Sequence, residues 1–514
     1  MHKQSNSKNG PPLKDLTARM TQQPMKSKGR NIFRLSVAAL LVALPSTGNA
    51  ALKDVFKKKA DADALYQEAF LAGDYAAALE TGIQAAGKKM PEKAQILWQL
   101  HAGSVASLAG KTDDAIKFYD YADTSFREAD VAPKGKKLLS NLTKGFSKKA
   151  GSYDGKIYER IMLNTSKGLA WLGMNDAEKA RVEFNRMREW QAEAAERFAK
   201  EIEKERAAEE EERQKNAAPL PDAGEILGQL KFGENGRDFD QEFLTTADFK
   251  PYKDFENPYA TWIAGLAALL ENDTEKAGNY LREVVGMVPE CKQAAEDFKT
   301  ASAGQPVADR VWVIVENGLC DRLVEEKTRL PIPLPVGKDK AGNAEVVLVN
   351  CVFSLPKLVN RDSAQKAYHV EAGGLRYESE LICDMDRVVR AEYDKTIRGV
   401  ALRAVTHTLV LCAGQAVLNK QASKKGGIAE LGATIGTGLA ADALTHADTR
   451  QWTTLPGEIY IASLPIPEGR SLTLCCETGK ATVEIPPCKN AIVHYRVPTT
   501  PDKAPPPRVI TFNK

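Results

Sequence analysis

Residues 64–78 read ALYQEAFLAGDYAAA, and this stretch decides the fold of the first half of the chain. An apolar helix ends at the tight polar turn of Gly73 and Asp74, and alanines after Tyr75 begin a second helix. Small residues at such positions let two consecutive helices pack closely. The stretch therefore predicts a pair of short helices.

Three further stretches repeat this pattern, at residues 96–119, 168–180 and 262–289. The pattern resembles degenerate tetratricopeptide repeats, whose units bury their apolar faces by stacking on their neighbours. The resemblance implies an α-solenoid over residues 51–300, whose surface binds a protein or a peptide. Structural support of the second half of the chain is the alternative use of such an array.

The chain becomes strongly charged between the third and fourth repeats. Residues 191–216 carry nine acidic and six basic side chains. Pairs such as Glu196 and Lys200 are four residues apart, in the order that stabilises a helix. The sequence predicts a long solvated helix near residues 176–216, which ends before Pro219.

A second charged cluster lies among residues that otherwise have the pattern of buried helices. Buried charges must be paired and hydrogen-bonded. We therefore expect an internal ion-pair network here, with a functional site as the alternative. The candidate members are Glu159, Arg160, Arg181, Glu183 and Arg186.

Residues 30–50 have the features of an export signal. Arg30 and Arg34 form a basic flank, residues 35–44 form an apolar core, and small residues precede a cleavage point after Ala50. The core is about half as long as the roughly twenty residues of a membrane-spanning helix, which favours a cleaved signal. A membrane anchor is the alternative. Met25 is a candidate start. The cleavage point has no cysteine to carry a lipid.

Composition restricts the class of protein. The 71 basic and 68 acidic residues leave a net charge of +3, which argues against nucleic-acid binding because such proteins carry a basic patch or stripe. No C-x-x-C motif, metal-ligand spacing or cofactor motif occurs.

All eight cysteines lie between Cys291 and Cys488. An exported chain permits disulfides, and we expect at least one among these residues: Cys320, Cys351, Cys475, Cys476 and Cys488. Cys475 and Cys476 are adjacent, and neighbours in a strand point to opposite faces; a redox pair is the alternative. We expect Cys412, inside an apolar helix, to be a buried free thiol.

The second half of the chain mixes strands with apolar helices. Residues 310–318, 345–353 and 367–377 have strand patterns, and from Met385 apolar residues recur every three or four positions, as on one helical face. With the Gly- and Ala-rich residues 428–444, this predicts an antiparallel helical hairpin inside a protein core. A membrane hairpin is the alternative, and its polar residues would be costly in lipid.

The C-terminal residues predict strands joined by tight turns. Residues 457–464, 471–477, 481–485 and 491–497 alternate in polarity, and Thr478-Gly479-Lys480 forms a hairpin turn. We expect a small β-sandwich over residues 457–500 and a flexible tail over residues 501–514. The predicted class is α+β: a helical-repeat domain, a mixed domain over residues 305–456 with the helical hairpin, and the sandwich.

Four segments together resemble an uncharacterised family of Gram-negative envelope proteins. They are Tyr153-Asp-Gly155 with Tyr158-Glu-Arg160, Ala180 to Arg186, Glu316-Asn-Gly318, and His446 to Pro456. The resemblance implies tetratricopeptide-like repeats, a C-terminal mixed domain, and a periplasmic or outer-membrane-associated location. Family members are often lipoproteins and are sometimes encoded beside activators of peptidoglycan synthases. The family supplies no assigned activity.

Asp448, Arg450 and Trp452 form the one candidate binding site in the sequence. Acidic, basic and aromatic side chains in a short turn suit a carboxylate or a sugar; a structural corner is the alternative. No catalytic constellation and no cofactor are indicated. We expect a non-enzymatic scaffold or adaptor of the cell envelope that binds protein partners, among them the cell-wall synthesis machinery. The alternative is a sugar- or carboxylate-binding module, or an enzyme of cell-wall metabolism, in the C-terminal domain.

Overall fold

The computed structural model describes residues 62–86, 95–131, 153, 155–215, 220–245, 249–304, 307, 309–338, 343–362, 364–423 and 446–513. All of them belong to one compact unit, which covers residues 57–514. The predicted export signal at residues 30–50 lies outside the described residues. So does the second arm of the predicted helical hairpin at residues 428–444.

Paired helices form the N-terminal region, as the sequence predicts. They are α1 (residues 62–72), α2 (Tyr75–Ala86), α3 (Ile96–Leu108), α4 (Thr112–Val131), α5 (Ile157–Gly173), α6 (Ala177–Lys215), α7 (Ala223–Gln229), α8 (Phe239–Phe243), α9 (Pro258–Leu270), α10 (Thr274–Met287) and α11 (Lys292–Ser302). Helix α3 packs on α4, α5 on α6 and α9 on α10. Side-chain caps start several helices: Asn257 accepts from the backbone N–H of Ala260 at 3.0 Å at the start of α9.

Glycines mark the points where these helix pairs approach most closely. A Cβ atom added to Gly168 in α5 would lie 2.5 Å from the ring of Phe184 in α6. A Cβ added to Gly265 in α9 would lie 3.0 Å from Leu281 in α10. The first distance is shorter than carbon atoms tolerate, so the α5–α6 spacing requires glycine. This is the close packing that the small residues of the repeats predict.

Helix α6 is the longest element of the helical region, with 39 residues. Its length is about 58 Å at the standard rise per residue. It begins after Asp176, whose carboxylate accepts from the backbone N–H of Lys179 at 3.0 Å. It corresponds to the long charged helix expected near residues 176–216.

The described residues of the second half form three sheets and one long helix. The strands are β1 (Arg310–Asn317), β2 (Arg322–Lys338), β3 (Ala344–Val359), β4 (His369–Ala372), β5 (Leu375–Glu378), β6 (Glu380–Asp384), β7 (Glu458–Pro465), β8 (Ser471–Cys476), β9 (Gly479–Glu484), β10 (Asn490–Val497) and β11 (Arg508–Phe512). The long helix is α12 (Met385–Ser423).

A five-stranded sheet with the order β11-β10-β1-β7-β6 lies at the centre of this region. Strand β1 pairs with β10 in parallel and with β7 in antiparallel orientation. Alternate residues of β1 bury opposite faces of the sheet. Trp312 and Ile314 belong to the core shared with the helices, whereas Val311, Val313 and Val315 belong to a second core.

The second core lies between the five-stranded sheet and a four-stranded sheet with the order β5-β4-β8-β9. The architecture is therefore helices, a sheet and a second sheet in three layers. The expected separate β-sandwich over residues 457–500 requires correction. Strands β7 and β10 pair with β1, and β8 pairs with β4, so the sandwich also needs residues 310–317 and 369–378. Strand alternation is local and did not reveal these long-range pairings.

The expected flexible tail at residues 501–514 also requires correction. Residues Arg508–Phe512 form β11, which pairs antiparallel with β10 and forms an edge of the five-stranded sheet. Ile510 and Phe512 are buried in the main core. The prolines before this strand suggested mobility. The apolar residues that alternate along the strand are nevertheless buried, and they hold it on the sheet.

Helix α12 packs along a ribbon formed by the antiparallel strands β2 and β3. The hydroxyl of Tyr393 donates to the carbonyl oxygen of Pro356 at 3.1 Å, and Lys420 pairs with Glu345 further along the ribbon. Residues Met385–Val417 are long and apolar enough to cross a membrane by length and composition, and 39% of their most apolar window is buried inside the protein. This helix is the first arm of the predicted hairpin.

Candidate functional site

A cleft of about 380 Å³ separates helices α3, α4 and α5 from one end of the five-stranded sheet. Its volume is within the range of small-molecule pockets. The residues at positions 452–456, which precede β7, close one side. The polar and charged lining residues are Ser104, Ser107, Thr112, Tyr119, Ser166, Glu316, Trp452, Thr454, His494, Arg496 and Arg508.

The register of three strands brings four charged or titratable side chains to this cleft. Glu316 in β1 lies opposite Arg496 in β10, and His494 in β10 lies opposite Arg508 in β11. Nε2 of His494 is 3.1 Å from the Glu316 carboxylate, and Nε of Arg496 is 3.6 Å from it. The hydroxyl of Tyr259 donates to the same carboxylate at 3.2 Å.

The Glu316 carboxylate is held in its charged form. Burial alone would raise the pKa of Glu316, but the neighbouring His494 and Arg496 outweigh this effect and hold the pKa below its usual range. Arg496 is fixed by donating to the carbonyl oxygens of Glu316 at 2.9 Å and Thr454 at 3.1 Å. This pair therefore forms a rigid charged floor.

Arg508 differs from Arg496 in its partners. Its Nη1 donates to the hydroxyl of Ser107 at 3.3 Å. Among the described residues, no carboxylate oxygen lies within 4.0 Å of its guanidinium nitrogens. Burial lowers the pKa of Arg508, because removal from water disfavours the charge. Because the charge of Glu316 balances that of Arg496, Arg508 gives the cleft a net positive charge.

Trp452 and Tyr119 form an aromatic wall of the cleft, with their ring centroids 6.1 Å apart. The indole N–H of Trp452 donates to the hydroxyl of Ser104 at 2.8 Å. Leu108, Leu169 and Ile510 also line the cleft and make part of its surface apolar. The cleft thus combines an apolar body with one cationic position.

The structure divides the predicted site of Asp448, Arg450 and Trp452. Arg450 donates to Asp448 from its side chain, at 2.8 Å from Nε and 2.7 Å from Nη2, and from its backbone N–H at 3.2 Å. Burial raises the pKa of Asp448, but this ion pair outweighs burial and lowers it. Asp448 and Arg450 thus bind each other as a structural corner would require. Trp452 lines the cleft.

The five residues expected in one ion-pair network lie in four surroundings. Glu183 and Arg186 form one network: the Glu183 carboxylate is 2.7 Å from Arg186 and 3.0 Å from Lys167. The chain of charges extends to Asp123, which lies 3.6 Å from Arg186. The sequence analysis missed Lys167, whose side chain is 3% exposed.

Glu159 and Arg181 make contacts elsewhere, and Arg160 packs against aromatic rings. The guanidinium of Arg160 stacks between the rings of Phe126 and Trp190, 4.5 Å from each centroid. Arg181 is exposed and lies 3.9 Å from Glu178. Glu159 is fully buried and accepts hydrogen bonds from the Tyr153 hydroxyl and two backbone N–H groups. The expected single network is therefore wrong, because residues close in sequence lie on different sides of α5 and α6.

All eight cysteines are free thiols in the structure, which therefore lacks the disulfide expected among Cys320, Cys351, Cys475, Cys476 and Cys488. Cys351 in β3 and Cys412 in α12 are both buried, and the two thiols are electrostatic neighbours. The neighbouring Cys412 thiol and burial raise the pKa of Cys351. Cys475 and Cys476 alternate across the four-stranded sheet: Cys476 packs on the inner core, as expected for strand neighbours.

Most of the cleft residues were not singled out from the sequence. One signal was available: His494 and Arg496 alternate with apolar residues in β10, a strand that is otherwise apolar. Two charged residues on one face of such a strand indicate a polar site or a buried ion pair. Arg508 gave no comparable signal, because its strand was assigned to the tail.

No protein-family model matches the sequence, and no curated protein sequence matches it. The resemblance to envelope proteins with tetratricopeptide-like repeats therefore stays a prediction.

Proposed function

We propose that this protein binds a small carboxylate ligand in the cleft between its helical region and its five-stranded sheet. The observation that carries the proposal is Arg508, a half-buried guanidinium that faces the cleft and has a serine hydroxyl as its hydrogen-bond partner. A guanidinium presents parallel donors that match a carboxylate. A bound carboxylate would offset the cost of removing this charge from water.

The other walls of the cleft limit the kind of ligand. Glu316 repels a second anionic group near the sheet floor, so one carboxylate is favoured over two. Hydroxyls of Ser104, Ser107, Thr112 and Ser166 offer further hydrogen bonds, and the apolar wall suits the face of a ring. A sugar that carries one carboxylate combines these features.

The cellular setting of this role comes from the sequence alone. The export signal predicted at residues 30–50 favours a location in the periplasm or at the outer membrane, and we propose a role in cell-wall metabolism there. We propose, more specifically, that the paired helices form a tetratricopeptide-like solenoid. An adaptor role through the helical surface stays a prediction, and the contacts of the helices with residues 446–512 favour structural support.

Calorimetric titration with a matched pair of sugars tests the proposal. N-acetylmuramic acid carries a carboxylate, and N-acetylglucosamine has the same ring without it. We expect the first to bind and the second to bind far more weakly. Arg508→Gln should weaken binding of N-acetylmuramic acid about 10- to 150-fold, because it removes a charge-assisted hydrogen bond.

Arg376→Gln is the control variant, since Arg376 is exposed on the four-stranded sheet and pairs with Glu378. It should bind N-acetylmuramic acid as the unmodified protein does. Equal affinity for the two sugars, no binding of either, or an unchanged affinity in Arg508→Gln would each contradict the proposal.

A further inference from the structure

We propose that His369, Glu371 and Cys475 form a binding site for a zinc-class divalent metal ion on the outer face of the four-stranded sheet. One donor atom from each residue lies within 4.8 Å of the other two. Nε2 of His369 is already 3.5 Å from Oε1 of Glu371. This site is separate from the cleft, on a different sheet.

Strand register brings the three side chains together. His369 in β4 lies directly opposite Cys475 in β8. Glu371 is two residues after His369, so it projects from the same face of β4. The inner-face neighbours Val370, Leu472 and Leu474 are buried in the second core. Two paired strands therefore hold the donors, and a rigid core supports them.

The spacing of the donors suits tetrahedral coordination. Bonds of about 2.0–2.3 Å to a tetrahedral Zn²⁺ put neighbouring ligand atoms roughly 3.3–3.8 Å apart. The donor atoms lie within 4.8 Å of one another, and small side-chain rotations bring them into this range. A thiolate, an imidazole and a carboxylate are donors that zinc accepts, and a thiolate disfavours magnesium and calcium. Three protein ligands leave a fourth position open.

The environment of His369 prepares one ring nitrogen for a metal. Its Nδ1 lies 3.5 Å from the carbonyl oxygen of Ala367. A carbonyl oxygen accepts hydrogen bonds, so this contact favours a proton on Nδ1. Nε2 then has a free lone pair directed to the side of Glu371 and Cys475. Metal-binding histidines commonly donate their other ring nitrogen in this way.

The charges around the site also accommodate a divalent ion. The Cys475 thiolate and the Glu371 carboxylate together balance two positive charges. Lys480 lies 3.4 Å from Glu371 and opposes a cation, but its side chain is 64% exposed and can turn into solvent at little cost. Glu378, which lies opposite His369, is paired with Arg376, so these two side chains add no net charge to this face.

Titration of the full chain with Co²⁺, in the reduced state, tests the site. A thiolate bound to Co²⁺ gives a charge-transfer band in the near ultraviolet, and tetrahedral coordination gives intense visible bands. We expect both to appear with one equivalent of Co²⁺ and to disappear when Zn²⁺ displaces it. Cys475→Ser should lose the charge-transfer band, and His369→Ala should lose the visible bands.

Cys476→Ser is the matched control, because this neighbouring thiol packs on the opposite face of the sheet. It should retain every band, and far-ultraviolet circular dichroism should show that all variants are folded. The absence of a charge-transfer band in the unmodified protein would overturn the proposal. Its persistence in Cys475→Ser, or its loss in folded Cys476→Ser, would do the same.

Discussion

The backbone N–H of Trp452 donates a hydrogen bond of 2.7 Å to Oε1 of Glu159, although 293 residues separate the two in the chain. Glu159 lies in the first turn of α5, and Trp452 lies in the segment before β7. The same carboxylate accepts from the Tyr153 hydroxyl at 2.6 Å and from the backbone N–H of Lys156 at 2.9 Å. One buried side chain therefore joins the helical region to the cleft wall.

Glu159→Ala should lower the free energy of unfolding by about 3 kcal/mol or more, because it leaves several buried donors without an acceptor. Chemical denaturation measures this loss. Glu178→Ala is the control, since the Glu178 side chain is 89% exposed, and it should change stability by less than about 0.5 kcal/mol. Equal effects of the two substitutions would show that the Glu159 contacts do not stabilise the fold.

Glu392 should make the protein less stable as the pH rises. It is buried in α12 and accepts from the backbone N–H groups of Ile157 at 3.0 Å and Tyr158 at 3.3 Å. Burial raises its pKa from 4.5 to about 7. Between these values the unfolded chain has lost the proton and the folded chain keeps it, so deprotonation favours unfolding. The accumulated cost is about 3 kcal/mol above pH 7.

Glu392→Gln removes this titration. We expect the stability of the variant relative to the unmodified protein to increase between pH 4.5 and pH 7 and to level off above it. Denaturation midpoints at a series of pH values measure the difference. Glu178→Gln should show no such trend, and a Glu392→Gln difference independent of pH would contradict the prediction.

Gly168→Ala should destabilise the protein, because the new methyl group would overlap the ring of Phe184. Overpacking of this kind typically costs about 1–3 kcal/mol. Gly173→Ala, in the same helix, places its methyl group in open space, so it should not lower stability by more than about 0.5 kcal/mol. Thermal melting of the two variants compares them directly, and equal melting temperatures would exclude a close α5–α6 contact at Gly168.

Cys351 and Cys412 are the pair that we expect to oxidise. Refolding in a glutathione redox buffer lets their two thiols lose two protons and two electrons while oxidised glutathione is reduced. The count of free thiols should then fall from eight to six. In Cys412→Ser it should stay at seven, and a loss of thiols in that variant would point to another pair.

Local sequence patterns determined the α+β class and the elements from which the fold is built. Small residues beside tight polar turns predicted the helix pairs, and α12 begins at Met385, where the apolar period changes to that of a helix. Alternation predicted most strands of the second half. These features depend on residues a few positions apart, so neighbouring side chains are sufficient to specify them.

Tertiary structure alone decided which strands pair and which charges meet. Residues 310–317 pair in parallel with residues 490–497, and no local pattern distinguishes that partner from any other apolar strand. The register then brings Glu316 to Arg496, His494 to Arg508, and His369 to Cys475. Pairing is selected by burying two sheet faces at once, one against the helices and one against the second sheet. That selection involves the whole chain, so local patterns could indicate single cleft residues such as Trp452 and Arg496 but not the assembled cleft or the proposed metal site.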